Sequence, residues 1–133
     1  MIRAVPADIA IVGMECVFPG AGDLAAFRSN LLGGFDAIRQ VPEARWERVF
    51  FDPDSDAPDR VYADRGGFID EFAEFDALAF GVMPVNVATG EPDQLLALQV
   101  AARALADAGY GDREFDRSRC SVILGRGNYL NPG

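Results

Sequence analysis

The sequence contains no histidine and only two cysteines in its 133 residues. Without histidine the chain cannot form a Ser-His-Asp or Cys-His catalytic pair by itself, and it lacks the ligand that most zinc sites use. Cys16 and Cys120 stand far apart, with no CxxC or Cys/His spacing. We therefore expect reduced, buried structural thiols in a cytoplasmic protein. Any reaction that needs an imidazole must take it from elsewhere.

Positive charge and long apolar runs are also scarce. The chain has 12 basic and 21 acidic residues, which gives a formal net charge of −9. This excess of acid disfavours a nucleic-acid partner, because the phosphates would be repelled. No apolar run approaches the ~20 residues of a membrane-spanning helix, and the N-terminus lacks the features of a secretory signal. We expect neither a nucleic-acid partner nor a membrane.

Residues 91–110 (EPDQLLALQVAARALADAGY) carry the strongest helix signal. Pro92 suits the first helical position, and Gly109 suits a left-handed stop. Beyond the first turn the polar side chains recur every fourth residue as one narrow stripe: Gln99, Arg103 and Asp107. Because an ordinary surface helix is polar on most of its circumference, this pattern predicts a helix that is buried on most sides.

Two short apolar runs predict buried strands, at residues 8–13 (DIAIVG) and 120–125 (CSVILG). Glycines follow the first run at positions 13, 20 and 22, which raises the question of nucleotide binding. Their spacing does not give GxGxxG, and the sequence contains no GxxxxGK[ST] motif. We therefore interpret these glycines as turn formers rather than as a phosphate cradle.

The region between these runs predicts one clear helix and one long irregular segment. Asp23 can cap a helix over residues 24–32, which the pair Gly33-Gly34 would stop. Residues 35–65 are rich in Pro and Asp and show too little periodicity for regular elements. We expect the lone tryptophan, Trp46, to anchor this irregular segment.

Residues 63–90 predict shorter elements. The pair Gly66-Gly67 suits a tight turn followed by a short strand, and an aromatic-rich stretch suits a short helix that opens at Asp76. Met83-Pro84 would break that helix. Two strong strands and one short strand make a poor sheet by themselves, so the chain predicts an incomplete core that expects a partner or belongs to a larger domain.

Six stretches, in this order and spacing, resemble the N-terminal part of a β-ketoacyl synthase (ketosynthase) domain of type I polyketide synthases. They are IAIVGMECVFPGAGD (9–23), FRSNLLGGFDAI (27–38), VPEARW (41–46), DRGGFID (64–70), FDALAFGVMP (75–84) and EPDQLLALQVAARALADAGY (91–110). The run SVILG (121–125) follows in the expected place. The resemblance implies that residues 1–133 are a partial N-terminal domain of this kind, with an irregular loop at 35–65.

The resemblance implies an α/β, thiolase-like fold with layered α/β/α/β/α architecture, of which this chain covers the first part of the N-terminal half. It implies a homodimer and a decarboxylative Claisen condensation, in which an acyl group on a cysteine is attacked by a malonyl-type extender. The phosphopantetheine of an acyl carrier protein would carry the substrate, and no cofactor or metal would bind this chain. The nucleophilic cysteine and two histidines are expected beyond position 133. No catalytic, cofactor-binding or metal-binding residue carries over, so we predict that the chain alone is inactive.

Two departures set the chain apart from the family pattern. The helix begins with residues 91–95 (EPDQL), where the family has Asp-Pro-Gln-Gln-Arg, and residues 84–87 (PVNV) replace a Pro-Arg-Glu-Ala type sequence. These changes predict a divergent subgroup. An alternative from a different class stays open: a non-catalytic module that pairs with a complementary chain through its apolar helix.

Overall fold

The computed structural model describes residues 8–125 and 127. In this part of the chain α1 spans Leu24–Gly33, α2 spans Pro84–Thr89 and α3 spans Pro92–Asp107. A two-residue ladder pairs β1, Arg39–Gln40, with β2, Arg65–Gly66. Single turns of 3-10 helix lie between these elements, at Glu43–Arg45, Arg48–Phe50, Asp70–Phe72 and Arg117–Arg119.

Helix α1 begins and ends where its capping residues predict. The Asp23 carboxylate accepts a hydrogen bond from the backbone N–H of Ala26 at 2.8 Å, which satisfies one free donor of the first turn. Glu15 adds a second cap, because its side chain accepts the N–H of Leu24 at 2.8 Å. At the other end Gly34 adopts a φ of 63°, the left-handed geometry that glycine tolerates. The predicted helix at 24–32 is confirmed.

Helix α3 also has the predicted ends but not the predicted burial. Pro92 occupies the first turn, and Gly109 follows the helix with a φ of 77°. No residue of α3 is buried within the described part of the chain. The prediction of a helix buried on most sides is therefore wrong for this chain by itself, since its described residues supply no second layer to cover the apolar faces.

The irregular segment at 35–65 is held by the small sheet. Strands β1 and β2 pair antiparallel, with Arg39 opposite Gly66 and Gln40 opposite Arg65. The predicted strand after the Gly66-Gly67 turn is wrong, because the ladder ends at Gly66 and a 3-10 turn follows at Asp70–Phe72. Within the segment Trp46 packs edge-on against Phe51, with ring centroids 6.3 Å apart.

The stretch around Asp76 and Pro84 also differs from the prediction. The Asp76 carboxylate accepts the N–H groups of Leu78 and Ala79, both at 3.1 Å, and these bonds close a turn instead of opening a helix. Pro84 does not end a helix but begins α2, since its missing N–H costs nothing in a first turn.

The two apolar runs that predict buried strands are exposed and unpaired in the described chain. Neither residues 8–13 nor residues 120–125 form a strand. Ile9 is 95% exposed and Ile123 is 90% exposed. The prediction of buried strands is wrong here for a physical reason: strands of this type need neighbours and covering layers that the described residues do not provide.

The described residues form almost no core of their own. Its accessible surface is 11442 Å², whereas a compact monomer of 14.3 kDa would expose about 6,800 Å². Among the described residues only Ala21 is a buried hydrophobic residue. It lies in a tight turn where Phe18 and Ala21 exchange two backbone hydrogen bonds of 2.8 Å. These values agree with the expectation of an incomplete core.

Candidate functional site

The polar stripe of α3 faces the rest of the described chain and hydrogen-bonds to its backbone. Gln99 donates from Nε2 to the carbonyl of Glu74 at 3.1 Å, and Arg103 donates from Nη1 to the carbonyl of Gly22 at 3.2 Å. The carboxylate of Asp107 accepts the N–H of Met14 at 3.0 Å. We call this set of contacts the α3 junction: Gln99, Arg103 and Asp107 with Glu74, Gly22 and Met14.

Two glycines allow the loops to approach this closely. A Cβ on Gly13 would lie 2.5 Å from the carbonyl oxygen of Ala104 and 2.7 Å from the Cβ of Ala108. A Cβ on Gly22 would lie 2.7 Å from the ring of Phe72. The first contact is against helix backbone, which cannot move aside as a side chain can. Gly13 therefore has a packing role in addition to its place in a turn.

Two open grooves flank the junction. One, of about 440 Å³, is lined by polar and aromatic groups that include Phe72, Gln99 and Arg103. The other, of about 700 Å³, lies between residues 67–75 and the first turns of α3. Its lining is mainly apolar, and Arg45 also borders it. Neither groove is lined by a cysteine or by a hydroxyl nucleophile, so they offer surface for packing rather than a group for covalent chemistry.

Ion pairs hold the irregular segment against the chain that follows β2. Arg39 Nη2 lies 2.5 Å from Glu71 Oε2, and Arg45 Nε donates to Asp70 Oδ1 at 3.0 Å. The Arg45 guanidinium also lies over the ring of Phe68, 5.3 Å from its centroid. We call these five residues the arginine brace.

The brace perturbs the titration of its two acids. The hydrogen bond from Arg45, with the positive charges of Arg45 and Arg39, lowers the pKa of Asp70. A backbone hydrogen bond, followed by the hydrogen bond and charge of Arg39, lowers the pKa of Glu71. Both side chains are about two-fifths exposed. Solvent screens such pairs strongly, so the brace positions the loop more than it stabilises the chain.

The environment of Cys16 does not favour a nucleophile. Burial, followed by the negative charges of Glu15 and Asp23, raises the pKa of the Cys16 thiol. A reactive thiolate needs the opposite, a nearby cation or a helix N-terminus that lowers the pKa. Cys120 is exposed, so the expectation of a buried thiol at this position is wrong for the described chain, where residues 120–125 have no covering layer.

Across residues 8–125 and 127, no cluster of three or more His, Cys, Asp or Glu side chains is arranged to hold a metal ion. None of the helices in this range combines the length and apolar character that crossing a membrane requires.

The sequence pattern showed the stripe on α3 but not its orientation. A four-residue polar repeat tells which residues share a face, and the direction of that face depends on which segments fold against it. The sequence indicates the arginine brace more weakly. It shows two arginines in an irregular segment and a pair of acids soon after the Gly66-Gly67 turn. Charge pairs across a loop of this length follow from the fold rather than from local spacing.

Comparison with known proteins gives one consistent family. Residues 7–132 match the family model described as the N-terminal domain of β-ketoacyl synthase. Polyketide synthase PksN of Bacillus subtilis (strain 168) is 39% identical over 125 residues, which cover 92% of this chain and 2% of that protein.

Two solved structures resemble the chain in fold and in sequence. The oxazolomycin ketosynthase domain OzmH KS7 of Streptomyces albus JA3453 is 40% identical, with a TM-score of 0.69 over 74% of this chain and 18% of that one. The ketosynthase from module 6 of the bacillaene synthase of Bacillus subtilis 168 is 32% identical, with a TM-score of 0.65 over 75% of this chain and 16% of that one. The chain thus spans less than a fifth of either solved domain.

Proposed function

The chain belongs to the β-ketoacyl synthase family, as part of the N-terminal domain of a polyketide synthase ketosynthase, and we propose that it serves decarboxylative Claisen condensation. In this reaction an acyl thioester condenses with a malonyl-type extender carried on the phosphopantetheine of an acyl carrier protein. The fold is the thiolase-like α/β fold of the ketosynthase neighbours, of which the chain forms one portion.

The match of residues 7–132 to one family model carries the proposal. The six sequence motifs support it because they fall along nearly the whole chain and not at one site. The two solved neighbours are ketosynthases, and their identities of 40% and 32% come with TM-scores above 0.6. The specific reaction, the carrier protein and a homodimer remain parts of the proposal, because each belongs to a whole domain of which this chain is a portion.

Within this proposal, the residues of this chain have a scaffolding role. The chain has no histidine, and burial raises the pKa of the half-buried Cys16 thiol. Thiolate catalysis of acyl transfer needs a cysteine with a lowered pKa and groups that stabilise the oxyanion. We therefore assign the nucleophilic cysteine and both histidines to residues outside this chain. The α3 junction and the arginine brace position the loops that the remaining residues would contact.

A hybrid domain tests this proposal. In it, this chain replaces the matching portion of the oxazolomycin ketosynthase domain, which is 40% identical to it. We expect the hybrid to load an acyl group from a thioester and to form the condensed product with malonyl-loaded acyl carrier protein. Folded hybrid that neither loads nor condenses, beside a parent domain that does both, would overturn the proposal.

A further inference from the structure

We draw no further inference here: the strongest candidate, the mainly apolar groove of about 700 Å³ between residues 67–75 and the first turns of α3, is an open surface of the described chain, and nothing in the structure shows what covers it.

Discussion

The carboxylate of Asp107 accepts a hydrogen bond from the backbone N–H of Met14 at 3.0 Å, which joins the last turn of α3 to a segment 93 residues earlier. A contact between residues so distant in sequence cannot arise from local propensity. With the bonds of Gln99 and Arg103, it makes α3 the element on which three separate segments converge. The helix therefore orders the described chain through hydrogen bonds from its polar side chains.

Removing the carboxylate at position 107 should free the segment around Met14 from α3. We expect Asp107→Leu in the hybrid domain to raise the exchange rate of the Met14 amide about fivefold, since a net hydrogen bond contributes about 1 kcal/mol. Asp112→Leu, in the exposed loop after α3, is the matched control and should leave that amide unchanged. Hydrogen exchange resolved to the Met14 amide checks both variants. Equal rates in the two would show that the bond does not hold the segment.

A methyl group at Gly13 should overpack the close contact between this residue and α3. The new Cβ would meet the carbonyl oxygen of Ala104 at 2.5 Å, so the segment or the helix must shift. We expect Gly13→Ala to lower the free energy of unfolding of the hybrid domain by about 1–3 kcal/mol.

Gly33→Ala is the control for this substitution, because nothing would lie within 4 Å of the new Cβ and Gly33 is the last residue of α1. There alanine should stabilise by up to about 1 kcal/mol. Denaturant unfolding measures both variants. A tolerated Gly13→Ala would mean that the segment does not pack on α3 as closely as described.

The arginine brace predicts a titration that depends on one arginine. Because the hydrogen bond from Arg45 lowers the pKa of Asp70, Arg45→Gln should raise that pKa toward the ordinary value of about 3.9. The stabilisation from this contact is fully present above the ordinary value and is lost as the pH falls through the lower, folded value.

Carboxyl ¹³C NMR of Asp70 follows this change directly. The control is Arg48→Gln, since Arg48 pairs with Asp64 at 3.4 Å and does not contact Asp70. If the pKa of Asp70 moves equally in both variants, the loss of one positive charge explains the change, and the contact with Arg45 does not.

The two thiols should differ in their reactivity toward a neutral alkylating reagent. Burial and the charges of Glu15 and Asp23 raise the pKa of Cys16, which lowers its thiolate fraction near pH 8. Cys120 is exposed. We expect iodoacetamide to modify Cys120 first in the isolated chain, as measured by peptide mass spectrometry. Glu15→Gln should speed the reaction at Cys16, and faster modification of Cys16 in the unsubstituted chain would contradict its assigned environment.

Local chemistry made the helices predictable, and non-local packing made the strands unpredictable. Asp23 and Pro92 mark helix starts through groups within one turn, and Gly109 marks a stop through its own backbone, so these ends follow from the sequence. Residues 8–13 and 120–125 carry strand-like apolar runs, yet a strand also needs a neighbour, and their described surroundings offer none. The same apolar excess did indicate correctly that the core is incomplete.

The candidate site was predictable in its chemistry and not in its geometry. The missing histidines showed that no imidazole could act within this chain. The α3 junction required the positions of Gly22 and Glu74, which local spacing does not give. Proline misled at position 84 for a simple reason: it is tolerated at the start of a helix as well as after its end, and only the hydrogen-bonded residues that follow decide between the two.

The site of acyl loading tests the central claim most directly. The hybrid domain is incubated with an acyl thioester, and intact and peptide mass spectrometry locate the adduct. The account predicts one acyl group per domain, on a cysteine outside the residues of this chain, with loading unchanged by Cys16→Ser and Cys120→Ser. The isolated chain should take up none. A stoichiometric acyl adduct on Cys16 or Cys120, in either protein, would contradict the conclusion that this chain is a scaffold of the ketosynthase and carries no nucleophile.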